Sequence, residues 1–365
     1  MRERGRGDAP FDIADTRADD AAAILFTSGS TGPPKGVIYR HGNFAAQVEA
    51  VRALGNIGPG EVDLPPFPPF ALFDPALGMT AVLPDMDPTR PGSVDPRKII
   101  GAVETFGVTN LFGSPALLDT VGRHGAAHGV RLPTLRRVIS AGAPVPTAVM
   151  ERFLGMLPDD AEVLTPYGAT ECLPVSCISS REVLAHTTAR TAAGAGVCVG
   201  TPVPSVDVRI IETRDGVIEA WHPELEVARG RVGEITVRGP QATAAYYNRP
   251  EDTKLAKIAD PDGGFWHRMG DLGYLDEAGQ LWFCGRKVDR VESAEGTLHS
   301  AACEAVFDVH PKVRRTALVG VGRVGAQEPV LCIELLVRRP RRERSVIREE
   351  LLELGARHPG TKHIR

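Results

Sequence analysis

Hydrophobic and polar positions alternate along this chain with two different periods. Short apolar runs predict β-strands at 23–26, 36–39, 108–112, 137–140, 206–211 and 234–237. Between these runs, apolar residues recur at helical spacing and predict helices at 45–54 and 147–157. Since strands and helices alternate, the pattern predicts an α/β body.

A proline-rich stretch at 64–75 interrupts this pattern. Proline lacks the amide donor that an interior strand or helix needs. The stretch is therefore predicted to be an ordered loop that forms part of a wall.

The pattern changes again after Asp289. It predicts helices near 301–307 and 346–354, strands at 315–321 and 329–337, and a basic turn at 338–344. The basic run could bind an anion, but its place between a strand and a helix favours a solvated turn. We therefore predict a flexible leader at 1–20, a large domain at 21–288 and a small α+β domain at 289–365.

Composition narrows the class of protein. A chain of 365 residues that is 42% hydrophobic can bury more than one core, and its net charge of −4 gives no electrostatic basis for binding nucleic acid. The opening residues lack the apolar core of a signal peptide, and no later stretch has the length and apolarity of a membrane span. Six cysteines without a Cys-x-x-Cys pair favour reduced thiols. These features predict a cytoplasmic protein.

The segment 27–36 carries the most specific candidate chemistry. Its glycines allow the backbone to approach phosphates closely, while its hydroxyls and Lys35 can bind phosphate oxygens. A P-loop would need Gly-Lys-Ser/Thr, whereas two prolines separate Gly32 from Lys35 here. With a predicted strand on each side, the segment reads as a strand–loop–strand nucleotide site, and a plain Gly/Ser turn is the alternative. The predicted phosphate-binding residues are Thr27, Ser28, Gly29, Ser30, Thr31, Gly32 and Lys35.

Five ordered motifs resemble those of the adenylate-forming enzymes, which include acyl-CoA synthetases, luciferases and the adenylation domains of peptide synthetases. Each motif alone is weak, but five in the family's order are specific. They lie at 27–36, 140–144, 165–171, 233–253 and 270–289.

Longer runs are similar to the olefin β-lactone synthetases, which close 2-alkyl-3-hydroxyalkanoic acids into β-lactones in bacterial hydrocarbon synthesis. They lie at 65–78, 84–91, 167–175, 267–271 and 281–287. This resemblance implies the adenylate-forming fold, with a large multi-sheet N-terminal domain and a small C-terminal domain. It also implies an AMP-forming ligase that takes a small 3-hydroxy acid as substrate and works beside other enzymes of the pathway.

The family pattern extends beyond this chain at both ends. Members carry a long region before the Thr-Ser-Gly loop, and their small domain ends in a loop with a catalytic lysine. Both are expected to be missing here, and Lys362 is not assigned that role. The alternatives are a fragment, a damaged reading frame or a shortened natural form. We expect the 365 residues alone to be poorly soluble and nearly inactive.

The resemblance also assigns roles to single residues. Glu171 would bind Mg²⁺, with the Thr170 hydroxyl on the α-phosphate of ATP and Lys35 as a further catalytic cation. The residues assigned to adenine and ribose are Gly142, Ala143, Pro144, Tyr167, Gly168, Asp271 and Arg286, and those assigned to the domain hinge are Lys287, Val288 and Asp289. The alternatives are a surface carboxylate for Glu171, an ordinary half-buried aromatic for Tyr167, and a structural salt bridge for Asp271 and Arg286.

Acid binding and ring closure are assigned less specifically. The alkyl chains would need an apolar pocket, for which the candidates are Phe67, Phe70, Phe73, Asp74, Leu77 and Met79, although all could equally be core residues. Either Asp74 or His267 could accept the proton of the 3-hydroxyl. Because the substrate's own hydroxyl is the nucleophile, coenzyme A is not expected beside ATP and Mg²⁺. The alternatives are a fatty acyl-CoA or acyl-AMP ligase and a non-catalytic nucleotide-binding fragment.

Overall fold

The computed structural model describes residues 14–27 and 32–365. The strands are β1 Ala21–Phe26, β2 Gly36–Arg40, β3 Val62–Leu64, β4 Thr80–Ala81, β5 Asn110–Phe112, β6 Arg137–Ile139, β7 Glu162–Ala169, β8 Cys172–Ser179, β9 Val197–Pro202, β10 Asp207–Ile211, β11 Gly233–Arg238, β12 Lys257–Ala259, β13 Phe265–Leu275, β14 Leu281–Arg286, β15 Val291–Ser293, β16 Gly296–Leu298, β17 Val313–Val321 and β18 Glu328–Leu335. The helices are α1 His41–Gly55, α2 Asp74–Leu77, α3 Pro96–Phe106, α4 Pro115–His128, α5 Thr147–Leu154, α6 Ser180–Glu182, α7 Thr188–Ala192, α8 Pro250–Ala256, α9 Ser300–Asp308 and α10 Arg341–Ala356.

One large mixed sheet organises most of the chain, in the order β10-β11-β13-β14-β9-β8-β7-β6-β5-β3-β4, with β12 paired to β13. The half from β4 to β7 is parallel, and the half from β8 to β10 is antiparallel. The α/β prediction is confirmed. The switch from parallel to antiparallel pairing falls at β7 and β8, and the turn between these strands carries Thr170 and Glu171.

The helices that cover the parallel half begin and end on local signals. The side chain of Asp95 accepts a hydrogen bond from the Arg97 amide at the start of α3, and Gly107 ends that helix with φ +60°. Ser114 caps α4 in the same way. The apolar faces of α3, α4 and α5 pack against β3, β5, β6 and β7. The fully buried residues of this core include Leu111, Val138 and Phe153. A second core, which includes Ile235 and Val237, supports the antiparallel half.

Strands β1 and β2 form a separate antiparallel hairpin around the segment 27–35. This agrees with the predicted strand–loop–strand arrangement. Residues 28–31 lie outside the described part of the chain, so the structure gives no geometry for Ser28, Gly29, Ser30 and Thr31.

The proline-rich stretch contains more regular structure than the sequence suggested. After β3 ends at Leu64, a 3-10 helix spans Pro68–Leu72 and α2 follows directly. Prolines lie at the first turns of these short helices, where a missing amide donor costs little. The Phe70 ring lies 3.9 Å from that of Phe112, centroid to centroid, so this wall packs on the end of β5.

The last part of the chain has its own small core, in which α9 and α10 pack on the β17–β18 pair around Val306, Phe307 and Leu351. The predicted basic turn is wrong in part, because α10 begins at Arg341 and Arg341–Arg344 are helical. The arginines form the polar side of an amphipathic helix whose buried side carries Ile347 and Leu351. The charged residues at the start of α10 obscure the helical spacing of its apolar positions in the sequence.

No helix in the described part of the chain is both long and apolar enough to cross a membrane.

Candidate functional site

The turn between β7 and β8 presents Thr170 and Glu171. Gly168 precedes it at a point where a Cβ atom would lie 2.7 Å from the Cys172 carbonyl oxygen. Only glycine allows the two strands to approach this closely. The Tyr-Gly-x-Thr-Glu order therefore has a steric reason as well as a chemical one.

Glu171 is held from both its side chain and its backbone. The Tyr246 hydroxyl donates to Oε1 at 2.6 Å, and both the amide and the hydroxyl of Thr243 donate to the Glu171 carbonyl, at 2.9 and 3.1 Å. Burial and the Glu171 charge raise the pKa of Tyr246 far above its ordinary value, so the phenol stays a donor. The carboxylate thus has a fixed position.

Strand β2 brings the 27–36 loop to this turn. The Tyr39 hydroxyl donates to the Thr170 carbonyl at 2.5 Å, and the Ile38 amide donates to the Ala245 carbonyl at 3.1 Å. Burial raises the pKa of Tyr39 to about 12, which keeps this donor protonated. The β1–β2 hairpin is therefore hydrogen-bonded to the β7–β8 turn, which contains Glu171, and to the neighbourhood of Tyr246, which bonds the Glu171 carboxylate.

Lys35 lies beside Glu171's partner Tyr246, with Nζ 4.7 Å from the centroid of the tyrosine ring and 3.9 Å from Asp252. The base of the loop is closed by Thr27, whose hydroxyl accepts a hydrogen bond from the Lys35 amide at 3.1 Å. Gly32 has φ +150° and is exposed. One described end of the phosphate-loop candidate, at Lys35, thus lies beside the tyrosine that holds Glu171.

A second carboxylate, Asp271 on β13, lies directly opposite Arg286 on β14. The Arg286 Nη1 donates to Oδ1 at 2.7 Å and the Tyr167 hydroxyl donates to Oδ2 at 2.6 Å. Burial raises the pKa of Asp271, opposed by Arg286 and Tyr167. Among the described residues, the buried Nε of Arg286 has no hydrogen-bond partner.

The segment 140–144 follows β6 at the carboxyl edge of the parallel strands, where α/β proteins bind ligands. Gly142 has φ +96°, and Gly142, Ala143 and Pro144 are exposed. Within the described chain, the buried Ser140 hydroxyl finds no partner.

The candidate hinge residues form a 3-10 turn, Lys287–Asp289. Lys287 Nζ bonds both oxygens of Glu234, at 3.0 and 3.1 Å, while Val288 is exposed. Glu234 also accepts a hydrogen bond from Nη2 of Arg268 at 2.6 Å, and it is only 1% exposed. One end of the turn is thereby anchored to the large sheet.

The candidate pocket residues differ in how far they are exposed. Phe67 is exposed, Phe70 and Phe73 are half-buried, and Leu77 packs with Met79 in a small buried cluster. Asp74 is buried beside Asp63, whose Oδ1 is bonded by the Asn110 side-chain amide. The sequence did not indicate this carboxylate pair, since the two residues belong to different elements.

His267, the other candidate base, is buried on β13. Its Nδ1 lies 3.1 Å from Nζ of Lys257, and burial together with that cation lowers the pKa of His267 well below its ordinary value. Sequence reasoning did not identify Lys257, Thr243 or the contact between Tyr39 and Thr170. No local motif marks them, because the partners of Thr243 and Tyr39 lie far along the chain and Lys257 meets His267 only when β12 pairs with β13.

The polar groups fit a magnesium nucleotide. Mg²⁺ usually takes one or two carboxylates from a protein together with phosphate oxygens, and Glu171 is a candidate for one such carboxylate. Asp271 suits the hydroxyls of a ribose, and the buried unpartnered Nε of Arg286 is a donor suited to a nearby oxygen.

Comparison with known proteins places this geometry in a family. The family model described as AMP-binding enzyme matches residues 2–247. An olefin β-lactone synthetase of Xanthomonas campestris is 54% identical over 366 residues, which cover 99% of this chain and 65% of the relative. That of Stenotrophomonas maltophilia is 55% identical over 328 residues, covering 89% of this chain and 58% of the relative. The predicted resemblance to this group is confirmed.

A solved structure shows the same fold. The amide bond synthetase McbA from Marinactinospora thermotolerans aligns with a TM-score of 0.76 and 26% identity, over 94% of this chain and 63% of that chain. This chain therefore spans about two thirds or less of the length of the relatives it matches. Since the family model covers most of its length, the chain belongs to the AMP-binding enzymes.

Proposed function

We propose that the protein carrying this chain activates a long-chain 2-alkyl-3-hydroxy acid with ATP in the cytoplasm and closes the resulting acyl-AMP to a β-lactone for hydrocarbon synthesis. The nucleotide half is supported by Asp271, which both Tyr167 and Arg286 hold. The lactone half is supported by the identity to two olefin β-lactone synthetases over most of the chain.

Asp271 and Arg286 bind the ribose in this proposal. The carboxylate accepts hydrogen bonds from the sugar hydroxyls, and the guanidinium keeps the carboxylate oriented. Adenine lies on the Tyr167 ring beside Gly168 and the exposed segment from Gly142 to Pro144, which gives the purine a flat apolar contact.

The phosphates lie at the other carboxylate. Thr27, Lys35 and the remaining loop residues bind the phosphate oxygens, while Thr170 binds the α-phosphate and Glu171 holds Mg²⁺. Mg²⁺ bound there would supply positive charge that offsets the phosphate charge when a carboxylate anion approaches phosphorus. The tyrosines at 39 and 246 keep Thr170 and Glu171 in place through the bonds described above.

Ring closure then needs no second substrate. The 3-hydroxyl oxygen attacks the acyl carbon, the bond from that carbon to the phosphate oxygen breaks, and AMP leaves. Proximity within one molecule replaces an external thiol. Asp74 is the favoured proton acceptor of the two candidates, because Nδ1 of His267 is engaged with Lys257. The turn Lys287–Asp289 is the hinge of the small domain. The acid lies against the wall that includes Phe67, Phe70 and Phe73.

Product analysis tests this proposal. The protein is incubated with a 2-alkyl-3-hydroxy acid, ATP and Mg²⁺, with and without coenzyme A, and the organic products are separated by mass. We expect a product lighter than the acid by one water, formed equally without the thiol. A thioester that appears only with coenzyme A would assign the protein to the acyl-CoA ligases. Nucleotide binding without any acid-dependent pyrophosphate release would favour a non-catalytic protein.

A further inference from the structure

Lys257 is a half-buried lysine that the proposed chemistry does not use, and desolvation of its amino group lowers its pKa to about 7. It lies on β12 directly opposite His267 on β13. Its Nζ donates to the Thr243 carbonyl and to Nδ1 of His267, the latter at 3.1 Å, and lies 4.8 Å from the centroid of the Phe265 ring. The ammonium group is thereby held from three sides.

The role of His267 follows from the charge of Lys257. A neutral imidazole has one donor nitrogen and one acceptor nitrogen. Nδ1 of His267 lies 3.2 Å from the Ala256 carbonyl as well as 3.1 Å from Nζ, but it cannot donate to the first while accepting from the second. When Lys257 is charged, Nδ1 accepts and the proton of the ring lies on Nε2.

The contact to Thr243 links this pair to the candidate metal ligand. Thr243 is 1% exposed, and its amide and hydroxyl hold the Glu171 carbonyl. Tyr246, three residues later, holds the Glu171 carboxylate. Both restraints on Glu171 therefore come from the segment 243–246, and Lys257 fastens the start of this segment to β12.

We infer that Lys257 is a positioning residue, which sets the carboxylate of Glu171 for a magnesium-bound polyphosphate by holding the Thr243 carbonyl, with His267 as its acceptor. This role rests on the proposed function of Glu171. Lys257 itself does not touch the reacting groups, since its ammonium faces Thr243 and His267. Partners of this kind, which orient a metal ligand, typically change metal affinity by about 10–100-fold when they are lost.

Lys257→Met tests the inference in the intact protein, with Lys254→Met as the matched control. Lys254 lies on α8 nearby, and within the described residues its ammonium forms a single exposed ion pair, with Glu219. ATP binding is titrated by calorimetry over a range of Mg²⁺ concentrations. We expect Lys257→Met to need about 10–100-fold more Mg²⁺, with unchanged affinity for AMP in the absence of metal. Lys254→Met should behave as wild type in both measurements.

A second pair of variants covers the case in which Lys257→Met does not fold. In His267→Asn, the side-chain oxygen can replace Nδ1 as acceptor, whereas His267→Leu removes the acceptor. We expect the first to retain the wild-type Mg²⁺ requirement and the second to raise it. Equal behaviour of the two histidine variants would overturn the role of His267.

Hydrogen–deuterium exchange of the nucleotide-free protein separates this inference from the proposed function. Exchange across 243–246 should accelerate in Lys257→Met but not in Lys254→Met, whether or not the protein turns over an acid. An unchanged exchange rate would overturn the inference, as would an unchanged or lower Mg²⁺ requirement. If exchange accelerates but the wild-type protein releases no pyrophosphate, only the proposed function fails.

Discussion

The Tyr246 hydroxyl lies 2.6 Å from Oε1 of Glu171 and donates a hydrogen bond to it, although 75 positions separate the two residues. Tyr246 is 6% exposed, so this bond is shielded from water. A shielded bond to a charged acceptor is typically worth about 1.5–3 kcal/mol. This hydrogen bond orients the Glu171 carboxylate, although Glu171 lies in a turn.

Removing either partner should impair adenylation to different degrees. We expect Glu171→Ala to lower acid-dependent pyrophosphate release by at least about 10²–10³-fold, because it removes a preorganised electrostatic contact. Tyr246→Phe retains the carboxylate and should cost about 10–100-fold. The measurement is steady-state pyrophosphate release at saturating Mg²⁺. Release by Glu171→Ala at the wild-type rate would refute the assignment.

Asp271 should determine recognition of the sugar. We expect wild-type protein to bind ATP about 10–100-fold more tightly than 2′,3′-dideoxy-ATP, since hydrogen bonds to the carboxylate are lost with the hydroxyls. Asp271→Ala should bind the two nucleotides about equally, whereas Tyr167→Phe, which loses only its bond to Asp271, should still discriminate. Competition binding provides both ratios. Full discrimination by Asp271→Ala would show that this carboxylate has only a structural role.

The buried carboxyl pair predicts a dependence of stability on pH. Burial and the charge of Asp74 raise the pKa of Asp63 to about 7, and burial raises that of Asp74 to about 6. Both values lie above the ordinary 3.8, so the folded state holds protons that the unfolded state has lost. Their stabilising contribution is complete below about pH 4 and is lost as the pH rises through 6 to 7.

Asp74→Asn should remove part of this dependence. In urea unfolding, we expect the variant to gain about 1–3 kcal/mol over wild type at pH 8, with a smaller difference at pH 5. Asp159→Asn, at an exposed position, is the matched control and should change neither value. A variant that is less stable than wild type at pH 8 would contradict this account of the pair.

Glu234 should contribute more to stability than any exposed carboxylate. Its partners Arg268 and Lys287 have side chains that are 3% and 15% exposed. Glu234→Gln leaves these cations uncompensated and should lower the free energy of unfolding by about 3–5 kcal/mol. Glu212→Gln breaks an exposed pair with Arg214 and should cost less than about 1 kcal/mol. Equal losses in the two variants would contradict the buried network.

The sequence alone was sufficient for the α/β class, the strands on both sides of the 27–36 segment and the family. These features are local, because strand periodicity, glycine at Gly168 and ordered motifs depend on neighbouring residues. The start of α10 was not predicted, because the charged residues Arg341–Arg344 obscure the helical spacing of its apolar positions.

Only the tertiary structure determined what holds the site. The partners of Glu171 come from the segment 243–246, that of Thr170 from β2, and those of Asp271 from β7 and β14. The Lys257–His267 contact and the Asp63–Asp74 pair depend on how neighbouring elements pack, which no local periodicity marks. Burial, and hence the protonation state of these groups, depends on the whole fold, because a low local dielectric requires atoms from many parts of the chain.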